Sequence, residues 1–193
     1  MSPVLRGTVH KPKILRIGSK VEETFGFAEV PVVSFEDLYA GKIIAALDRQ
    51  HPRDLFDVKL LLDNVGISPT LKDAFIVYLI SHNRRVLEVL NPSLLDIRKI
   101  FETDFQGMTV EPIDIIKLTQ TRNDLIEIIN RSLTLEDKKF LIQFKEGKPN
   151  WNRFGLSHIK NLPAVKWKLH NLDQMIHSER IVMINRLREF FQI

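Results

Sequence analysis

The sequence predicts an α+β fold that is predominantly α, with short N-terminal strands followed by a multi-helix bundle. Three observations predict it. Strand-like composition is confined to one stretch, Val4 to Val33. Beyond it, apolar residues recur at spacings of three and four, as in Leu71, Ala74, Phe75, Tyr78 and Leu79, which is the period of a helix with one buried face. The punctuation between these runs is helical too: Pro52, Pro69, Pro112 and Pro163 stand where a first helical residue is expected.

Taken in order, Val9, Ile14, Leu15 and Ile17 are broken by Pro12 and Gly18, and Phe27–Val33 is rich in β-branched residues around Pro31. Ser34 reads as an N-cap, with Asp37 three residues on, where an acid favours the first turn. Helices are then expected over 35–49, 52–64, 69–81, 84–90, 94–105, 112–132, 135–146, 163–173 and 179–191. Ser68, Thr134 and Ser178 are candidate N-caps, and Gly66, Gly107 and Gly147 follow apolar runs as stops. Residues 147–162, with Pro149, Trp151 and Gly155, form the one credible linker or extended loop. The expected organisation is therefore a strand-containing segment 1–33, a helical core 34–146, and a loop with basic C-terminal helices over 147–193.

Composition narrows the function classes. Hydrophobic content of 44% with 27% charged residues is that of a folded globular chain. No apolar run is long enough for a transmembrane helix, and Met1–Arg16 lacks the apolar core of a signal peptide. A cytoplasmic location away from membranes is the expectation. With no cysteine there is no disulfide framework and no thiol nucleophile. The six histidines show no HxH or HxxxH spacing, which argues against a zinc site. The net charge of +4 is uneven: residues 138–193 hold eleven Lys/Arg against four acids, whereas 36–137 hold twelve against seventeen. Such a tail suits nucleic acid as well as a solvated helical surface.

The chemistry-bearing segment is Val33–Asp57. On a wheel of about 100° per residue starting at Phe35, Leu38, Tyr39, Ile43 and Ala46 define a core face. Lys42 and Arg49 fall in the middle of that face, and Asp37 and Asp48 fall on the solvent side. Burying an unpaired charge costs several kcal/mol. Two cations on one apolar face therefore point to an anion site rather than to two separate snorkels. After the turn at Gln50-His51-Pro52 the next helix opens Arg53-Asp54-Leu55-Phe56-Asp57. Asp54 and Asp57 share a face from which they could reach Lys42 or Arg49, and Asp57 could also pair with Arg53. Spacing alone leaves a structural ion-pair network and an active site equally open, since an acid at Asp54 also answers the helix dipole.

The run S-F-E-D-L-Y-A-G-K-I-I-A-A-L-D-R-Q-H-P-R-D-L-F-D, with V-K-L-L-L-D-N-V-G-I after it, closely resembles the AbiEii/AbiGii nucleotidyltransferase toxins. These are the toxin halves of type IV abortive-infection toxin–antitoxin systems. The stretches F-I-V-Y-L-I-S-H-N-R and P-A-V-K-W-K-L-H-N-L resemble a subgroup of the same family. The resemblance implies that Lys42 is the lysine of the third family motif and that the acid of the fourth lies at Asp54 or Asp57, both carried as catalytic candidates. Arg49 and Arg53 are then the expected substrate-binding neighbours. It also implies an NTP and Mg²⁺ as cofactors, transfer of nucleotide to an acceptor such as tRNA or another RNA, and a cognate antitoxin as partner. The N-terminal strands would be what is left of a nucleotidyltransferase-type sheet.

This chain departs from the pattern in one respect. The family's first two motifs are a Gly-Gly or Gly-Ser turn for the nucleotide phosphates and an Asp-x-Asp pair for Mg²⁺. No Asp-x-Asp occurs here, and the one Gly-Ser, Gly18-Ser19, is followed by no carboxylate pair. Two-metal phosphoryl chemistry needs those carboxylates. The expectation is a C-terminal portion that binds no cofactor tightly and is inactive alone, or a non-catalytic helical module that binds RNA or an antitoxin. Trp151, Phe154 and Trp167, interleaved with Arg153, Lys160, Lys166 and Lys168, are candidates for stacking and charge contacts to RNA. Ser81-His82-Asn83-Arg84-Arg85 is expected to be a helix end.

Overall fold

A computed structural model describes residues 7–193; Val4, the first residue of the expected strand stretch, lies outside them. The fold is α+β and predominantly helical. A two-stranded sheet is formed by β1 (Lys13–Arg16) and β2 (Glu29–Val32), antiparallel, with Lys13 opposite Val32 and Arg16 opposite Glu29. Between the strands lies a helix the sequence does not announce, α1 (Ser19–Phe25). Its two apolar residues, Val21 and Phe25, are too few for an apolar stripe, and no residue of the helix is buried. The whole excursion projects from the core: both strands are exposed along their length, and Phe25, Phe27 and Ile14 are 82%, 64% and 62% exposed.

The bundle follows: α2 (Phe35–Arg49), α3 (Pro52–Asn64), α4 (Pro69–Ser81), α5 (Val86–Leu90), α6 (Arg98–Asp104), α7 (Ile115–Ser132), α8 (Leu135–Glu146), α9 (Pro163–Asp173) and α10 (His177–Phe191). Pro52, Pro69 and Pro163 open α3, α4 and α9, where a missing N–H costs nothing. Ser34, Ser68 and Thr134 cap α2, α4 and α8 through their side chains. Two expected starts are corrected. Asp114, not Pro112, sets the start of α7, because its carboxylate accepts from Ile116 N–H. Helix α10 begins at His177, before Ser178, with no side-chain cap. The segments expected over 84–90 and 94–105 are shorter, at Val86–Leu90 and Arg98–Asp104. Residues 147–162 contain two 3₁₀ turns, Trp151–Phe154 and Ile159–Asn161, and are packed down rather than extended.

Helix α2 is the centre of the core. It lies against α4 on one side and α3 on the other, with the Tyr78 ring over Gly41. The C-terminal helices join the same body, α9 on α4 and α10 on α8 and α5. The rings of Phe140, Phe144, Trp151 and Phe154 pack edge to face beneath the loop.

The buried side of α2 differs from the wheel prediction. Asp37, Ala40, Ile43, Ile44, Ala46 and Leu47 are buried, whereas Phe35 and Leu38 are 41% and 46% exposed. The buried stripe is rotated by roughly a third of a turn from the one anchored on Phe35. Ala40, Ile43, Ile44, Ala46 and Leu47 form its apolar part, on the sides of α2 packed against α4 and α3. Asp37 is on the inside for a hydrogen-bonding reason. Its carboxylate accepts from Val9 N–H at 2.7 Å, His10 N–H at 2.9 Å, Ser34 Oγ at 2.8 Å and Tyr78 Oη at 3.0 Å. It ties the N-terminal segment to α2 and α4. Asp48 is not on an open face either, since it pairs with His82 and Arg84.

Candidate functional site

Rotating the stripe moves Lys42 and Arg49 off the core face onto the flank of α2 that looks toward α3. Lys42 is half-buried and Arg49 is exposed. Neither is an unpaired buried cation. The Lys42 ammonium donates to Asp57 Oδ2, and Arg49 Nη2 donates to Asp54 Oδ1 at 2.9 Å. The two pairs run side by side between the helices, and each is open to solvent on one side. Side-chain exposure is 30% and 37% for Lys42 and Asp57, and 64% and 15% for Arg49 and Asp54. Arg53 stands apart from this ladder. Its guanidinium donates to the Asp104 carbonyl at 3.1 Å instead of pairing with Asp57, because it leaves α3 on the side facing the end of α6.

The register of the ladder is fixed by the turn between the helices. Gln50 takes the left-handed conformation, φ 52°, and is buried. Its amide donates to the Ser93 carbonyl at 2.8 Å and accepts from Leu95 N–H at 3.0 Å and from Arg122 at 2.9 Å. A left-handed conformation costs a non-glycine residue about 1–2 kcal/mol. The three hydrogen bonds offset it. His51 then caps α3 by accepting from Arg53 N–H at 3.1 Å. Sequence reasoning missed Gln50 and Arg122. Nothing in the spacing of Q-H-P distinguishes a structural hub from an exposed turn glutamine, and Arg122 lies 72 positions away.

The ladder can hold an anion. Lys42 has three donors and Arg49 five, and one of each is engaged by a carboxylate. The carboxylates orient cationic heads that remain reachable from solvent, as a phosphate-binding pair requires. A divalent metal does not fit. Among the described residues no group of three His, Asp or Glu side chains could hold one. Both acids of the ladder are already engaged by cations.

The aromatic set of the C-terminal region divides. Trp151 and Phe154 pack on Phe140, and Arg153 lies 4.5 Å over the Phe154 ring while pairing with Asp73 and the buried Asp137. These three hold the loop to the bundle and face inward. Trp167 is 64% exposed, and Lys160 and Lys166 are exposed as well.

No helix among the described residues is long and apolar enough to cross a membrane. No curated protein matches the chain, and no solved structure matches it. A family profile does: the one described as nucleotidyl transferase AbiEii toxin, type IV TA system, matches residues 1–171 of the 193. That match contains the Lys42–Asp57 ladder, the turn that sets it and both strands, and the chain belongs to the AbiEii nucleotidyltransferase toxin family of type IV toxin–antitoxin systems.

Proposed function

We propose that this chain supplies the lysine–aspartate half of a nucleotide-transfer site, with Lys42 receiving an NTP phosphate and Asp57 orienting it. Asp54 holds Arg49 beside it as a second phosphate ligand, and Arg53 supports the neighbouring backbone. The observation that carries the reading is the paired ladder, two half-open cation–carboxylate pairs aligned across α2 and α3 within a family of nucleotidyl transferases. An NTP bound there would supply the nucleotide to be transferred. Lys42 would then spread the negative charge of its phosphates, and Asp57 would fix the ammonium against them. Transfer to an RNA acceptor such as tRNA is the reaction proposed for the complete site. The exposed side chains Trp167, Lys160 and Lys166 are proposed to hold the acceptor. Within this assignment, 34–146 carries the ladder, 1–33 the sheet remnant, and 147–193 the basic acceptor-facing helices.

The chain alone is proposed to be inactive, because its described acids form no metal site and its sequence has no Asp-x-Asp. The test is transfer of label from radioactive NTPs to total tRNA, by the 193-residue protein and by the same protein joined to a segment bearing the Gly-Ser and Asp-x-Asp motifs. Transfer by the joined form only, abolished by Lys42→Ala, is the expected result. Transfer by the 193-residue chain by itself overturns the proposal.

A second reading, a non-catalytic module that binds the cognate antitoxin, is favoured by the exposed apolar excursion. Phe25, Phe27 and Ile14 present exposed apolar surface on this excursion, with only the Arg16 guanidinium over the Phe27 ring. Retained antitoxin binding without NTP binding would select it.

A further inference from the structure

Helices α5, α8 and α10 line a half-open cavity of about 400 Å³ that plays no part in the ladder. Its wall is largely apolar, with Val86, Met175, Val182, Met183 and Leu187, and its floor contains Lys145 from the last turn of α8. Lys145 is 2% exposed, and no hydrogen bond or ion pair from a described residue reaches its ammonium. Every other buried charged side chain among the described residues has a hydrogen-bond or ion-pair partner. Asp37 has four donors, Asp137 has Lys72 and Arg153, and Arg122 has Gln50 and the Leu95 carbonyl. A buried ammonium without a partner is disfavoured, because it gives up its hydration and receives nothing in return.

The surroundings accentuate the imbalance. Arg85 and Arg186 also line the cavity. The two acids on its wall do not neutralise Lys145: Glu88 is turned toward Arg85, 3.8 Å from its Nε, and Glu179 sits in the exposed first turn of α10. Burial, with Lys168 and Arg85 nearby, lowers the Lys145 ammonium to about 8. The position of Lys145 is fixed from behind. Its carbonyl accepts from Arg180 Nε at 2.7 Å, and Gly147, at φ 78°, lets the Arg180 guanidinium pass where a Cβ would lie 2.5 Å from Nη2.

We propose that this cavity binds a small amphipathic anion, its carboxylate or phosphate on the Lys145 ammonium and its apolar body against Met175, Val182 and Met183. The volume is that of a small-molecule site, with one buried polar group to fix orientation and an apolar wall to supply affinity. The two methionines let the wall adapt to the shape of the body. Arg85 and Arg186 draw the anion in.

Octanoate, phenyl phosphate and the neutral octanol are titrated into the 193-residue protein by calorimetry, alongside Lys145→Met and the mouth-filling Val182→Trp. The expected result is saturable binding of at least one anion. It should be at least tenfold weaker for octanol and for Lys145→Met, and blocked by Val182→Trp. Tighter binding of octanoate assigns a carboxylate ligand, and tighter binding of phenyl phosphate a phosphate monoester. Equal binding of octanol and octanoate overturns the proposal, as does full anion affinity in Lys145→Met or the absence of saturable binding by either anion. Binding confined to an acidic amphipathic peptide overturns it in favour of a protein partner. If Lys145→Met fails to fold, the octanol comparison and Val182→Trp, whose site is half exposed, decide the question.

Discussion

Arg122 donates through Nη1 to both the Gln50 side-chain oxygen, at 2.9 Å, and the Leu95 carbonyl, at 2.7 Å. This buried guanidinium, supplied by α7, joins the turn of the Lys42–Asp57 segment to the chain entering α6. It is held at a cost, since burial lowers its affinity for the proton. The position of Asp54 and Asp57 relative to Lys42 and Arg49 therefore depends on a residue of neither helix.

Gln50→Ala should destabilise the protein by about 2–4 kcal/mol, since it leaves a buried guanidinium, an N–H and a carbonyl short of partners while keeping the left-handed backbone. Gln50→Gly removes the same hydrogen bonds but relieves the φ of 52°, so it should be about 1 kcal/mol less damaging than alanine. Urea denaturation of the two variants checks the order. Equal or reversed stabilities would show that the left-handed turn is not strained.

Asp37→Asn should cost about 2–4 kcal/mol. The replacement has one acceptor oxygen where the carboxylate has two, and its NH₂ group faces the N–H and O–H donors that now converge there. The loss should be localised first to the N-terminal segment. Amide exchange of Val9 and His10 should speed up more than that of Ile43 or Leu47. Uniform acceleration across α2 would contradict the tethering role.

The helices were legible wherever a cap and a period agreed: α3, α4 and α8 start where Pro52, Pro69 and Thr134 predict. Helix α1 was not, because a short helix without an apolar stripe carries no period to read. The pairing of α2 with α3 was legible as a possibility, since Lys42, Arg49, Asp54 and Asp57 lie at helical spacings. The face on which it sits was not. Anchoring the wheel on Phe35 assumes that the bulkiest residue marks the core, whereas helix–helix contact here selects Ala40, Ile43, Ile44 and Leu47. A buried carboxylate such as Asp37 defeats any hydropathy argument, because its partners are backbone groups brought from residues 9 and 10.

Lys42→Ala and Asp57→Asn should change stability by no more than about 1 kcal/mol, the worth of a half-exposed ion pair. If the ladder serves phosphate, both variants should weaken NTP binding to the joined protein, Lys42→Ala by tenfold or more and Asp57→Asn less. Parallel thermal melts and nucleotide titrations separate the two effects. A loss of several kcal/mol of stability with unchanged nucleotide affinity would make the ladder a structural network.

Lys145→Met should stabilise the protein at neutral pH, and the gain should fade in alkali. The Lys145 ammonium titrates near 8 in the folded state against an ordinary value of 10.5. Below pH 8 both folded and unfolded chains carry the proton, so the folded state bears the full penalty of the buried cation. Between about pH 8 and 10.5 the folded chain has released the proton and the unfolded chain retains it. Unfolding then takes up a proton, and stability rises with pH. The shift corresponds to on the order of 3 kcal/mol. Methionine removes the charge while filling much of the same space, so its advantage should be largest below pH 8 and should shrink steadily toward pH 10. Denaturation midpoints of wild type and variant, compared pairwise from pH 7 to 10, cancel the titration of other groups. A pH-independent difference would mean that Lys145 keeps an ordinary proton affinity and that its ammonium finds solvent through the cavity mouth.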